Sequence, residues 1–346
     1  MYSVDKGNFK QYLLGFPQQI INSRTIFNKS GLKIKKGSVR NILYLGMGGS
    51  AIAGDIIADV LYNELTMPMQ VIRGYQVPAS CSKSSLVIAS SYSGDTEETL
   101  QALAEAFEKQ AQIIVITSGG KLLKLAKKNN WPHLLIPGGF PPRQAFGYLF
   151  FLSYQIVCEC IRKKLTDEEF YELMHLAESI ILTNNEDQAV GKVFARDLAL
   201  QIKNKIPVIY ASAPHLSAIA TRWKNQFQEN SKSMAFSNII PEMNHNEIVG
   251  WEMKTNTLMN FIVIFLENLH QNPRIDARIN LTKSIIRDRG PGVVEVYAEG
   301  TTLLQQVISL IIISDWASYY LALLYENDPA SIVNIDYLKG ELKKQA

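Results

Sequence analysis

The sequence predicts an α/β protein of two similar lobes, each a parallel β-sheet flanked by helices in a flavodoxin-like three-layer sandwich. Short apolar runs alternate with helix-period segments, the pattern of parallel strands joined by helical crossovers. The alternation breaks at the polar Thr183-Asn-Asn-Glu-Asp187 and restarts at Ile206 as strand, small-residue loop and helix. The 346 residues are 47% apolar and only 19% charged, and a chain this long buries roughly 75% of its unfolded surface without staples.

In order along the chain, Asn8 to Ile21 reads as an amphipathic helix interrupted at Pro17, and Lys29 to Arg40 is polar and basic. Asn41–Leu45 is a strand, Gly46–Ser50 a loop and Ala51–Tyr62 a helix. Strands follow at Met69–Ile72, Ser85–Ser90, Gln112–Thr117 and His133–Ile136, with helices at Thr96–Gln110 and Lys121–Asn129. The run Lys121–Lys128 reads as a solvated helix face. Pro137–Pro142 is a rigid turn, because its Pro-Pro pair cannot continue a strand. Helices then run over Ala145–Cys160 and Asp167–Leu182. In the second half, strands are expected at Ile206–Tyr210, Leu258–Leu266 and Val293–Val296, and helices at His215–Lys232, Val307–Tyr325 and Ile332–Leu342. The implied organisation is an N-terminal helical segment over 1–37, a first α/β domain over 38–160, a helical linker over 161–188 and a second α/β domain over 189–346.

Composition narrows the partners. Lys and Arg number 35 against 32 Asp and Glu, a net charge of +3, which lacks the basic excess of a nucleic-acid binder. Cys81, Cys158 and Cys160 form no CxxC pair, so a reducing cytoplasm is expected, without a disulfide framework or a cysteine zinc site. The N-terminus has no signal-peptide core. Phe261–Leu266 and Val307–Ile313 fall far short of the roughly 20 residues of a membrane span.

Two loops carry chemistry. Gly46-x-Gly48-x-x-Ala51 follows a strand and opens a helix, where backbone N–H groups can meet a phosphate. A dinucleotide site wants an acidic residue at the end of the next strand, and here that strand ends Val71-Ile72-Arg73-Gly74. An arginine there leaves NADP open, beside a generic phosphate or sugar contact and a turn that is glycine-rich only for packing. The second loop, Ser91-Tyr-Ser93-Gly94-Asp95-Thr96-Glu-Glu98, sets three hydroxyls beside the start of the next helix, a phosphomonoester cradle. It has no P-loop lysine, which disfavours a nucleoside triphosphate. The plainer alternative is helix capping by Ser93, or by Asp95-x-x-Glu98 as a capping box.

Two such loops on consecutive strands resemble the SIS (sugar isomerase) phosphosugar-binding fold. Gly46-Met-Gly-Gly-Ser-Ala-Ile-Ala-Gly-Asp55, Ser91–Thr99, Pro141-Pro-Arg143 with Ala145-x-Gly147-Tyr148, and Pro241-Glu-Met-Asn-His-Asn-Glu247 occur in this order. With Phe16-Pro17 and Ile335-Asp-Tyr-Leu-Lys339, they are similar to the bifunctional phosphoglucose/phosphomannose isomerases of archaea and bacteria over essentially the whole chain. The resemblance implies two SIS domains, a homodimer, no cofactor or metal, and interconversion of aldose and ketose 6-phosphates. It implies that Ser91, Ser93 and Thr96 bind phosphate, and that Gly48, Gly49 and Ser50 contact sugar. It places Arg143 beside the reacting carbons and makes Glu229 the base. His245 is the ring-opening histidine, contributed across the dimer interface, and Lys339 reaches the ring oxygen or O1. Ser331 is the small hydroxyl residue linked to mannose activity.

The chemistry fits these residue types. Moving a proton from C2 to C1 through a cis-enediolate needs a carboxylate base and a fixed cation for the oxyanion, and ring opening needs a group titrating near neutral. Position alone is less generous. Leu216, Ile219, Ala220, Trp223 and Phe227 make the apolar face of the helix carrying Glu229. Glu229 falls opposite, with Arg222 and Gln226, and reads as solvated. His245, between Asn244 and Asn246 and flanked by Glu242 and Glu247, has no second histidine at metal-ligand spacing. His133, His175 and His270 read as structural or exposed, and His215 as a helix-start residue that caps or lines a cleft. Lys339 lies in a basic tail. The rival functions are a non-catalytic sugar-phosphate-binding SIS protein, which would usually carry a DNA-binding module that is not evident before residue 40, and an NADP-dependent reductase. An amidotransferase is excluded by the absence of an N-terminal cysteine nucleophile.

Overall fold

The computed structural model describes residues 4–269 and 272–345, so His270 lies outside the described residues. The chain divides into two compact units: Gly15–Glu178, and the stretch up to Leu14 together with Ser179 onward. The first helix, α1 (Phe9–Leu14), belongs to the latter, where Phe9 stacks on Tyr319.

In the unit Gly15–Glu178, five parallel strands, β1 (Asn41–Leu45), β2 (Met69–Ile72), β3 (Ser85–Ser90), β4 (Gln112–Thr117) and β5 (His133–Leu135), lie in the order β2-β1-β3-β4-β5. The central β3 is buried at every position, which is why it reads as a continuous apolar run rather than an alternating one. The helices are α2 (Phe16–Ser30), α3 (Gly48–Val60), α4 (Glu97–Glu108), α5 (Gly120–Lys128), α6 (Phe146–Ile161) and the first turns of α7 (Asp167–Asn184). One sheet face packs Leu43, Leu45, Val87, Ala89 and Val115 against Leu103 of α4 and Leu122 of α5. On the other, the Tyr44 hydroxyl meets that of Ser153 on α6 at 2.9 Å. The helix break expected at Pro17 comes at Gly15 instead. Pro17 sits in the first turn of α2, where its missing N–H forfeits no helical bond.

The other unit has four parallel strands, β6 (Ile206–Ser212), β7 (Phe236–Ile240), β8 (Phe261–Glu267) and β9 (Gly292–Tyr297), in the order β7-β6-β8-β9. Its helices are α8 (Phe194–Ile202), α9 (Ser217–Ser231), α10 (Pro273–Arg287), α11 (Leu303–Leu324) and α12 (Val333–Gln345). Sequence reasoning does not reach β7, α8 or α10. β7 is a half-exposed edge strand with only Ile240 buried, and α10 buries four of its fifteen residues, so neither shows a strong apolar period. The strand expected from Leu258 begins at Phe261, because Asn256–Asn260 forms a 3-10 turn capped by Thr255.

α11 overturns one expectation. At 22 residues it is long and apolar enough to cross a membrane, as is Pro142–Ile161, although the run Val307–Ile313 alone is too short. Both are core helices, with 94% and 89% of their apolar windows buried inside the fold, where a helix apolar all round belongs. Asp315, inside this apolar helix, is itself buried and paired with Arg222.

Because β6 and β7 are parallel, the crossover helix α9 runs back against the strands. It starts at the C-terminal edge of that sheet and ends at the opposite edge.

Candidate active site

In the unit Gly15–Glu178 the chain leaves β1 toward α3 and leaves β3 toward α4. These adjacent strands are where the strand order reverses, and ligands of open α/β sheets bind in the crevice at such a switch point. The Gly46 loop and the Ser91 loop form its two lips. α3 begins at Gly48, three residues earlier than expected, so Gly48, Gly49 and Ser50 are its first turn. Neither α3 nor α4 carries a side-chain cap. Two helix N-termini therefore present main-chain N–H groups to the crevice, the arrangement that holds anions.

The capping alternative for the second loop fails on geometry. Thr96 occupies the N-cap position of α4 without capping it; its hydroxyl lies 2.8 Å from that of Ser91. Asp95 is turned away and accepts from the Lys121 N–H at the start of α5 at 3.0 Å. Ser93 is exposed, and its hydroxyl accepts from the Asp95 N–H at 3.3 Å. The structure thus pairs Ser91 with Thr96 and sets Ser93 apart. Glu97 and Glu98 in the first turn already complement the helix dipole, so hydroxyls and N–H groups must hold any anion against their charge. Removing both hydroxyls, with Ser91→Ala and Thr96→Val, is expected to weaken phosphomonoester binding about 100-fold, at about 1.5 kcal/mol per hydrogen bond to a charged group. Titration calorimetry reads this, and an unchanged affinity would place the anion elsewhere.

Tyr92, which the sequence reading passed over, ties the loops together. Its hydroxyl accepts from the Phe140 N–H at 2.7 Å and donates to the Pro137 carbonyl at 3.3 Å. The Ser118 hydroxyl donates to the Tyr92 carbonyl at 2.6 Å. The rigid Pro137–Pro142 turn is thereby anchored to the Ser91 loop. Its continuation, the 3-10 turn Pro142–Ala145, carries Arg143, which is 5% exposed. A side chain on Gly49 would sit 3.6 Å from the Arg143 Cα, so Arg143 lies directly behind the first glycine loop. The buried Gln19 of α2 donates to the Gln144 carbonyl at 2.8 Å and accepts from the Tyr148 N–H at 3.3 Å, fixing the chain just after Arg143. The available signal was a polar residue on the buried face of α2. Arg73, the candidate partner for a 2′-phosphate, is paired with Asp55 of α3. Burial holds the Asp55 carboxyl above its ordinary value, with the arginine opposing.

In the other unit, Glu229 is half-buried in the last turn of α9. The stripe expected to be solvated is not: Arg222 and Gln226 are each 2% exposed and face α11. The Lys232 ammonium donates to the carbonyls of Glu229 at 3.0 Å, Asn230 at 3.1 Å and Asp328 at 2.7 Å. That clasp holds the Asp328–Ser331 turn, and with it the half-buried Ser331, at the C-terminal end of α9. His245 is exposed at the opposite edge of the sheet, in the 3-10 turn that follows β7. Its flanking carboxylates are engaged locally. Glu247 accepts from the Tyr210 hydroxyl and the Asn238 amide, both at 2.5 Å, and Glu242 from Asn246 at 2.8 Å. Burial and the Glu247 carboxylate push the Tyr210 hydroxyl up, which keeps it a donor. Lys339 is exposed on α12. His133 and His175 are exposed, and His215 half-buried just ahead of α9.

Two family models match the chain, a SIS domain over residues 38–129 and a bacterial phospho-glucose isomerase C-terminal SIS domain over 192–342. A bifunctional phosphoglucose/phosphomannose isomerase of Caldicellulosiruptor bescii is 36% identical over 326 residues, covering 94% of this chain and 96% of that protein. Another, from Aquifex aeolicus, is 34% identical over 311 residues, with 89% and 92% covered. Among solved structures, a hypothetical protein of Thermus thermophilus shares the fold with a TM-score of 0.75 at 15% identity, over 96% of this chain and 90% of that one.

Proposed function

The chain belongs to the bifunctional phosphoglucose/phosphomannose isomerase family, and on that premise we propose how its site works. The enzyme interconverts glucose 6-phosphate and mannose 6-phosphate with fructose 6-phosphate by proton transfer between C2 and C1. The observation that carries this reading is the Ser91–Thr96 hydroxyl pair over the uncapped start of α4, at the strand switch point and beside the turn carrying Arg143. The pair and the helix N–H groups take the phosphate, while Gly48, Gly49 and Ser50 contact the sugar. Arg143 supplies the fixed cation for the enediolate oxygens, since a guanidinium stays charged and is held by its buried backbone. Glu229 removes the C2 proton and returns it at C1. His245 opens the ring, with Lys339 at the ring oxygen or O1. No cofactor enters the reaction.

The working form is proposed to be a homodimer with His245 contributed across the interface. The placement of Glu229 and His245 at opposite edges of one sheet supports this. So does α12, whose Val333 and Tyr337 are 71% and 70% exposed in the single chain. Three buried cysteines, none of them in a disulfide, fit a cytoplasmic location. A coupled assay on both aldose 6-phosphates tests the activity. Turnover of both is expected, with Ser331 leaving room for rotation about C2–C3. Turnover of glucose 6-phosphate alone would remove the dual specificity. Tight binding of both without turnover would leave the non-catalytic sugar-phosphate-binding reading.

A further inference from the structure

Resting on the reading of Glu229 as the base, we propose that a buried polar seam between α9 and α11 is a positioning device that sets the rotation and register of the helix carrying that base. Arg222, Gln226 and Asn230 recur at i, i+4 and i+8 on α9, and Glu229 stands three residues after Gln226, on the same side of the helix. A stripe of this composition would ordinarily face water. Here Arg222 and Gln226 are 2% exposed and Asn230 is fully buried. Arg222 Nη2 donates to both carboxylate oxygens of Asp315, at 2.9 and 3.0 Å, and Gln226 Nε2 donates to Asp315 Oδ1 at 2.5 Å. One turn on, Asn230 Nδ2 donates to Ser318 Oγ at 2.9 Å. Trp223 Nε1 donates to the Leu310 carbonyl at 2.9 Å.

These contacts specify more than they stabilise. An apolar seam lets a helix slide or roll, because burial of apolar area is non-directional. Hydrogen bonds to a buried carboxylate are directional, and leaving one unmade is costly. Replacing a buried ion pair by apolar residues is often neutral or stabilising, so registry is the better-attested use of such a pair. The contacts reach from Leu310 to Ser318 on α11 and from Arg222 to Asn230 on α9, a rise of eight residue steps on each helix, or about 12 Å. Two ends fixed over that length leave one setting for the turn between Gln226 and Asn230, and Glu229 is in that turn. A misplacement of about 1 Å at a reacting group costs on the order of 100-fold in rate.

The test compares the full-length chain with Gln226→Leu, which removes one donor and leaves the ion pair whole, and with the double variant Arg222→Met/Asp315→Leu, which replaces the pair by apolar groups. In both, kcat is expected to fall about 10- to 100-fold, with KM for fructose 6-phosphate within threefold; the melting temperature drops by several degrees, because each variant leaves one buried hydrogen bond unmade, while the protein stays folded at the assay temperature. A stable variant of either kind with kcat within twofold of wild type would overturn the proposal. Gln226→Leu decides by itself if the double variant does not fold. Glu229→Gln, which leaves the seam intact, tests the underlying reading separately. Full turnover in that variant would remove Glu229 as the base and the positioning role with it, even where the seam variants are slow.

Discussion

Gly94→Ala is expected to lower the melting temperature by about 10 °C and to abolish phosphomonoester binding. Gly94 has φ +73°, and a Cβ built on it would lie 1.9 Å from the Gly119 carbonyl oxygen. Gly120 mirrors it at φ +68°, its Cβ position 2.4 Å from the Ser93 carbonyl oxygen. The Ser91 loop and the β4–α5 turn thus interlock backbone to backbone, sealed by the Leu122 N–H on the Gly94 carbonyl at 2.9 Å. The left-handed backbone alone costs an alanine about 1–2 kcal/mol. The contact with a carbonyl that cannot swing away raises the total to about 3 kcal/mol, which at 2–4 °C per kcal/mol gives the expected shift. Binding fails for a further reason: moving Gly94 moves the N–H that donates to Ser91 Oγ at 3.2 Å, and with it the Ser91–Thr96 pair. Differential scanning calorimetry and phosphate titration read the two effects. Gly74→Ala is the control, since no atom lies within 4 Å of its Cβ position and its φ is not in the left-handed range. An equal loss there, or a Gly94→Ala protein that still binds, would refute the interlock.

In the first lobe β1, β3 and β4 are legible because they are buried on both faces, whereas the edge strand β2 is legible only as a short apolar run, Met-Gln-Val-Ile, with no buried residue. β1, β2, β3 and β4 fall where the apolar runs place them. β7 is not legible, because an edge strand reading Phe-Ser-Asn-Ile-Ile carries no buried period. The same physics governs the site. The Ser91 loop announces itself by hydroxyls clustered before a helix, but nothing local says that Ser93 is turned to the main chain or that Asp95 serves α5. The role of Asp95 depends on the β4–α5 turn, more than twenty residues away. For Glu229 the helical period alone points the wrong way. Its neighbours Arg222 and Gln226 are drawn inward by Asp315, which stands 93 residues from Arg222 on a helix otherwise apolar enough to look like a membrane span. A polar residue inside a long apolar run is the one sequence signal that α9 would have a buried polar face.

Glu229→Gln is expected to lower kcat by about 10³-fold, within the 10²–10⁴ typical of losing a general base, while affinity for fructose 6-phosphate stays within threefold. His245→Ala should slow cyclic substrates most, because ring opening is its proposed task. The stronger result comes from combining them. Glu229 lies near the end of α9, about 20 Å along the helix from the strand edge where it starts, and His245 follows β7 at that starting edge. Groups serving one sugar must come within about 3 Å of it, and on the proposed reading each site draws the two from different protomers. If each site takes Glu229 from one protomer and His245 from its two-fold mate, a Glu229→Gln/His245→Ala heterodimer has one intact site and one doubly defective site. Random reassociation of equal amounts makes half the dimers mixed, so about a quarter of wild-type activity should return. Activity no higher than that of either parent variant, in a sample where mass spectrometry of the intact dimers confirms subunit exchange, would mean that His245 does not complete its partner's site. In that case the proton for ring opening must come from the chain that holds the base, and the Lys232 clasp that gathers the Asp328–Ser331 turn around Glu229 marks where to look for its donor.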